Sequence, residues 1–281
     1  MAPNMGTAKI ILLTTATLAT AAGCVAAAMV FGGLYNVAST EQHTQIVYSV
    51  LERAMRQSVR LRARDIEAPK LDDEARVVRG ATVFRDKCVQ CHGAPGVAQS
   101  DIGKSMQPVP GPLVDAAQRW RPRELYWLTR HGIKMSGMPA WEFHLSDEEL
   151  WSVVAFIGRL PQLSPQQYSQ IVALQAPAAE PDRPSPASAV DVNRGKRALY
   201  QYACNACHTI PGVTGSAPNV GPPLAGMAKR PTIAGNLPNS QEDMVRWLRH
   251  TREVDPLTAM PELGVSERDA RDIAAYLATL D

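Results

Sequence analysis

The chain opens with a long apolar stretch, and residues 10–31 contain no charged side chain. A helix of this length matches the ~30 Å hydrocarbon layer of a bilayer. Residues 1–40 are therefore predicted to be an N-terminal membrane anchor. A cleaved signal peptide is the alternative. The stretch from Ala21 to Cys24 also resembles a lipoprotein cleavage box, although the apolar run continues beyond Cys24.

The next segment, residues 42–66, has the spacing of an amphipathic helix. Its apolar residues recur every three or four positions, at Ile46, Val47, Val50, Leu51, Met55 and Val59. Its second half is basic and carries Arg53, Arg56, Arg60, Arg62 and Arg64. Residues 41–74 are therefore predicted to be a helical stalk. The basic face is either solvated or docks on a membrane partner or on anionic lipid headgroups.

Beyond the stalk, one polar and apolar pattern occurs twice. Ser146 and Ser266 each precede an acid by three residues, which predicts helix N-caps. Amphipathic helices follow at residues 150–160 and 270–280. Each helix closes a predicted module, the first module over residues 75–162 and the second module over residues 190–281. Residues 163–189 between them are predicted to hold a short helix and a Pro/Ala-rich linker.

Each module contains the same five-residue motif, Cys-x-x-Cys-His. It comprises Cys88, Cys91 and His92 in the first module and Cys204, Cys207 and His208 in the second. Two cysteines at this spacing can form thioethers with one haem, and the next histidine then faces the iron. A zinc site would need the two pairs to converge, and a redox dithiol would not need the histidine. The motifs therefore predict two covalently bound haem c groups, with His92 and His208 as iron ligands.

Composition narrows the classes of partner. The formal net charge is +2, which gives no strong attraction to nucleic acid, so none is expected as a partner. Four of the five cysteines belong to the two motifs, so no disulfide framework is available. The sequence lacks a GxSxG elbow, a P-loop and a dinucleotide fingerprint.

Each module resembles a class I cytochrome c. In that family the first and last helices cross at a glycine–aromatic contact, which Gly80 and Phe84 match, with Phe156 as the partner. The second module departs from this pattern, because Lys196 stands at the position that corresponds to Gly80 and Gly195 lies one residue earlier. The resemblance implies an all-α protein, with a transmembrane helix followed by two tandem class I cytochrome c domains.

The sixth iron ligand must come from far along each module. Met138 and Met260 both precede proline and occupy corresponding places in the repeat, so they are predicted to be these ligands. Met135 and His131 are alternatives to Met138.

The family resemblance also implies that a proline carbonyl accepts a hydrogen bond from the ligating histidine. Pro222 lies in the matching Gly-Pro-x-Leu loop, and it is therefore predicted to contribute to haem binding in the second module. In the first module the loop is shifted, and either Pro108 or Pro110 is the candidate.

An anchor followed by two such modules resembles the di-haem subunit of C-type haem–copper oxidases. That resemblance implies an electron carrier of the bacterial inner membrane, with a single membrane pass and haem domains in the periplasm. Its expected partners are a terminal oxidase, a donor complex or a soluble cytochrome. The alternatives are an electron-acceptor subunit of a periplasmic dehydrogenase and a di-haem enzyme such as a peroxidase or thiosulfate dehydrogenase.

Overall fold

The computed structural model describes residues 5–173, 189–215 and 220–281. Most of the linker predicted within residues 163–189 lies outside these ranges. The first two helices are α1 (Met5–Phe31) and α2 (Gln45–Ala63). Helix α1 is exposed from Gly6 to Phe31. It is long and apolar enough to cross a membrane, a criterion that a signal sequence also meets.

The first module is helical, and its last element extends past residue 162. Its helices are α3 (Glu74–Lys87), α4 (Val89–His92), α5 (Asp101–Lys104), α6 (Ala116–Arg119), α7 (Pro122–His131), α8 (Asp147–Arg159) and α9 (Pro165–Ala173). Helix α9 belongs to the core of this module because its Tyr168 is buried and lies 6.3 Å from Phe156, ring centre to ring centre. The short helix predicted at the start of residues 163–189 thus packs on the first module.

The second module is also mainly helical. Its regular elements are α10 (Val192–Gln201), β1 (Thr232–Ile233), β2 (Leu237–Pro238), α11 (Gln241–Arg249), α12 (Thr251–Val254) and α13 (Glu267–Leu277). The two strands pair antiparallel, with Ile233 opposite Leu237. This small hairpin departs from the all-α prediction. Strands of two residues are too short to give an alternating pattern in the sequence.

Helices α3 and α8 of the first module cross in direct contact. A Cβ atom built on Gly80 would overlap the carbonyl oxygen of Ser152 in α8, so only glycine allows this approach. One turn later, the rings of Phe84 and Phe156 lie 5.1 Å apart and are fully buried. Ser146 caps α8 as predicted, because its hydroxyl accepts from the Glu149 N–H.

The second module makes the same crossing with a shifted register. A Cβ on Gly195 would overlap the carbonyl oxygen of Asp272 in α13, so Gly195 has the role of Gly80. Four residues on, Leu199 is buried, whereas Tyr200 is 66% exposed. Counted back from the first cysteine of each motif, Tyr200 corresponds to Phe84, but in the structure Leu199 takes the buried position. One extra residue, Ala203, absorbs the shift in a left-handed conformation with φ of 53°.

The two halves of the predicted stalk helix lie in different surroundings. The apolar residues of its first half, including Ile46 and Val50, are exposed. In its second half Val59 and Ala63 are buried, and α2 packs against α7. The guanidinium of Arg56 lies 5.5 Å from the ring centre of Trp120 in the first module. Part of the basic face therefore contacts the protein itself.

Candidate functional site

In the first module the Cys-x-x-Cys-His motif forms one helical turn at the end of α3. The backbone N–H of His92 donates to the carbonyl oxygen of Cys88 at 2.9 Å. Cys88 is buried, while Cys91 and His92 are half-buried. The turn places all three motif side chains on one short stretch of rigid backbone. Attachment of one planar group by both cysteines requires such an arrangement.

The ring of His92 is held by a backbone carbonyl. Its Nδ1 atom lies 2.8 Å from the carbonyl oxygen of Gly111. A carbonyl only accepts, so Nδ1 carries the proton and the lone pair of Nε2 is available to a metal. Desolvation lowers the pKa of His92, which favours this neutral form. The amide of Gln99 donates to the carbonyl oxygens of Cys91 and Pro110, and it thereby fixes the loop that presents Gly111.

The second module repeats this arrangement around a 3-10 turn, Cys204–Ala206. The N–H of His208 donates to the Cys204 carbonyl at 2.9 Å, and its Nδ1 lies 2.8 Å from the carbonyl oxygen of Pro222. This is the residue that the sequence indicated. A Cβ on Gly221 would overlap the His208 ring, so the loop backbone packs directly on the imidazole.

The acceptor in the first module is neither of the two prolines predicted from the sequence. Gly111 takes the place that was assigned to Pro108 or Pro110. Both acceptors precede a leucine by two residues, Gly111 before Leu113 and Pro222 before Leu224. Aligning the loops on these leucines finds the acceptor, whereas aligning them on proline does not. A carbonyl is needed here, and any residue type can supply one.

The first cysteine of each motif lacks the lowered thiol pKa of a redox dithiol. Burial raises the pKa of Cys88 to about 12 and that of Cys204 to about 11. Reactive CxxC pairs instead have a lowered thiol pKa. Within residues 5–173, 189–215 and 220–281, no group of three or more His, Cys, Asp and Glu side chains is placed to hold a metal ion. Neither alternative chemistry thus gains support.

The two Met-Pro loops share a local structure. The N–H of Met138 donates to the hydroxyl of Ser136 at 3.2 Å, and the N–H of Met260 donates to the hydroxyl of Thr258 at 3.1 Å. In each case the hydroxyl lies two residues before the methionine. Both methionines are half-buried. Ser136 and Thr258 were not identified from the sequence, although a hydroxyl residue at the same offset in both loops is a visible signal.

The two alternatives to Met138 lie in different surroundings. Met135 is 94% exposed and adopts a positive φ of 58°. The Nδ1 atom of His131 lies 3.9 Å from a carboxylate oxygen of Glu142, and its ring lies 5.0 Å from that of Trp127, centre to centre.

The residues present fit a large apolar group bound beside each motif. Neutral His92 offers a nitrogen lone pair, and the cysteines lie on the same turn. Large apolar side chains in the segments that follow each motif are exposed: Ile102, Val109 and Val114 in the first module, and Val220, Leu257 and Leu263 in the second. Burial of such side chains against an apolar surface is favourable in free energy.

Comparison with known families gives two matches. Residues 75–157 match the family described as cytochrome c oxidase, cbb3-type, subunit III. Residues 192–281 match the family described as cytochrome c. Two cytochrome c domains imply two covalently bound c-type haems with iron.

Comparisons with individual proteins carry less weight than the family matches. A stretch of 89 residues is 33% identical to cytochrome c oxidase subunit 2 of Alkalihalophilus pseudofirmus, which corresponds to 31% of this chain and 25% of that protein. The chain thus matches about a quarter of the relative's length. Among solved structures, the reducing HAO-like protein complex of Kuenenia stuttgartiensis aligns over 76% of this chain and 99% of its own. Its identity is 19% and its TM-score 0.26, which is too low to support any conclusion.

Proposed function

We propose that this chain, a di-haem cytochrome c that resembles cytochrome c oxidase subunits, transfers single electrons in the periplasm to or within a terminal haem–copper oxidase. One repeated arrangement carries the proposal. Each module combines a motif histidine, fixed through Nδ1 to a backbone carbonyl, with a half-buried methionine in a Met-Pro loop. Two protein ligands per iron would leave no position for a substrate.

Haem attachment is assigned to the cysteines of each motif. Cys88 and Cys91 would hold the first haem, and Cys204 and Cys207 the second. When bound, the haem iron supplies one-electron chemistry by alternating between the ferrous and ferric states. The protein orients the histidines: His92 and His208 each donate from Nδ1 at 2.8 Å, which fixes the ring and directs Nε2 away from the carbonyl.

Met138 and Met260 are proposed as the sixth ligands. The shared hydroxyl contact of the two loops supports this assignment, because it gives both methionines the same local backbone. Met135 extends into solvent, and His131 faces Glu142. A thioether ligand favours the ferrous state and raises the reduction potential.

Helix α1 is proposed as a single membrane anchor that places both haem domains in the periplasm. The hydroxyls of Thr15, Thr17 and Thr20 donate to carbonyl oxygens one turn earlier, at 2.8–2.9 Å. No polar group of these side chains then needs water, which suits a helix in lipid. The periplasmic orientation rests on the resemblance to proteins whose haem is attached outside the inner membrane.

The test is purification of the full chain from membranes in mild detergent, followed by electron transfer within that preparation. We expect a haem–copper core to co-purify and to be reduced by the chain, one electron per haem. Met260→Ala should lower the potential of one haem and slow this reduction. Co-purification of a quinoprotein or flavoprotein instead would replace the oxidase by a dehydrogenase. Turnover of peroxide or thiosulfate by the isolated chain would establish an enzyme.

A further inference from the structure

A short 3-10 helix, Trp141–Phe143, joins the two modules, and it is called the bridge helix here. It begins three residues after Met138. Trp141 packs against the core of the first module, whereas Phe143 packs against the core of the second. The next residue, His144, has its Nε2 atom 3.5 Å from the side-chain amide nitrogen of Gln201 in α10. The bridge helix thus contacts both cores.

Glu142, in the middle of the bridge helix, makes an ion pair between the modules. Its Oε1 accepts from Nε of Arg197 in α10 at 3.1 Å. Its Oε2 lies 3.7 Å from Nε of Arg130 and 3.9 Å from Nδ1 of His131, both in α7. Only 5% of the Glu142 side chain is exposed. A carboxylate so enclosed requires cationic partners, and the nearest one belongs to the second module.

Arg197 lies at the surface of its own module, where its charge also acts on the carboxylate of Asp191. Its side chain is 48% exposed, and it forms an ion pair with Glu142. Substitution of Arg197 therefore changes the contact between modules without opening the core of the second module. By contrast, Glu142 also faces cations of the first module, so its substitution has effects on both sides.

The contact lies between two elements that matter for electron transfer. The bridge helix shares its backbone with the loop of Met138, and α10 ends three residues before Cys204. We propose that Glu142 and Arg197 are positioning residues that dock the two haem domains, so that an electron passes between the haems over a fixed separation. The haem that donates the electron would be oxidised, and the haem that accepts it would be reduced. No bond or proton is exchanged. This inference rests on the proposed function.

The test uses the full haem-loaded chain and the variant Arg197→Glu, which places two carboxylates opposite each other. Two quantities are measured: the rate of electron equilibration between the haems after rapid photoreduction, and hydrogen exchange of residues 139–145 and 192–201. We expect the rate to fall by about tenfold, the factor that corresponds to ~1.4 kcal/mol, and exchange to rise in both segments. The thioether–iron absorption band should remain, because the ligands are unchanged.

Arg246→Gln is the matched control, since Arg246 is 52% exposed and pairs with Glu253 inside the second module. It should leave both quantities as in the parent chain. Unchanged rate and exchange in Arg197→Glu would overturn the docking role, as would an equal loss in the control. If neither haem of the parent chain exchanges electrons at all, the proposed function itself fails.

Discussion

A buried ion cluster at the helix crossing of the second module allows a quantitative prediction. Nη1 of Arg194 lies 3.2 Å from Oδ1 of Asp269, and its Nη2 pairs with Oδ2 of Asp272. The exposed fractions of the three side chains are 8%, 2% and 3%. Replacing Arg194 by methionine keeps an unbranched side chain of similar length but leaves two buried carboxylates without their cation.

The expected loss in the free energy of unfolding depends on the hydrogen bonds that the two carboxylates keep. Removing one partner of a buried ion pair costs ~3–5 kcal/mol. Asp269 still accepts from the Tyr202 hydroxyl at 2.9 Å, and Asp272 still accepts from the Asp191 N–H at 2.8 Å. We therefore expect the lower end, a loss of about 3 kcal/mol in the free energy of unfolding. With an m value of ~2 kcal/mol per M, the urea midpoint falls by about 1.5 M.

Equilibrium urea unfolding of the full haem-loaded chain measures this change, with circular dichroism as the probe and the m value compared between variants. Arg246→Met is the control, because its partner Glu253 is 61% exposed and such surface pairs contribute ~0–1 kcal/mol. Adding Asp269→Asn and Asp272→Asn to Arg194→Met should recover part of the loss. A loss below ~1 kcal/mol for Arg194→Met, or one equal to the control, would show that the buried carboxylates do not depend on Arg194.

Three further predictions concern single positions. Gly80→Ala should destabilise the first module by about 1–3 kcal/mol or more, because the new methyl group overlaps a backbone carbonyl; thermal unfolding measures it. Met138→Ala should abolish one thioether–ferric absorption band and Met135→Ala should not; the reverse result would reassign the ligand. Burial, with a further contribution from Asp269, raises the pKa of Tyr202 to about 12 from a usual value of 10.0. The raised pKa contributes to the stability of the folded state fully below pH 10, and this contribution is lost as the pH rises through 12. Tyr202→Phe should therefore flatten the decline in urea midpoint over that range.

Sequence patterns located the elements that depend on local chemistry. Ser146 caps α8 (Asp147–Arg159) and Ser266 caps α13 (Glu267–Leu277), because a hydroxyl followed by an acid satisfies the free N–H groups of a first turn. The helix crossing at Gly80 was also predicted, because Gly80 and Phe84 match the glycine–aromatic contact that the family resemblance implies. The module boundaries at residues 75–162 and 190–281 stay predictions.

Other features depend on tertiary contacts that have no local signal. The left-handed conformation of Ala203 shifts the register of α10. Alanine rarely adopts a positive φ, so the sequence gives no reason to predict one at this position. Gly111 acts through its carbonyl, which every residue has. The pair of Glu142 and Arg197 joins segments 55 positions apart, so no periodicity connects them.

Two haems held through thioether bonds in each polypeptide underlie the proposed electron transfer. The most direct measurement is the intact mass of the denatured chain, combined with extraction of the pigment into acidified organic solvent. We expect the mass to equal that of the processed or unprocessed polypeptide, 30.5 kDa for the latter, plus two haem groups, and all colour to stay with the protein. Extractable pigment, or a mass increment of a single haem, would contradict it.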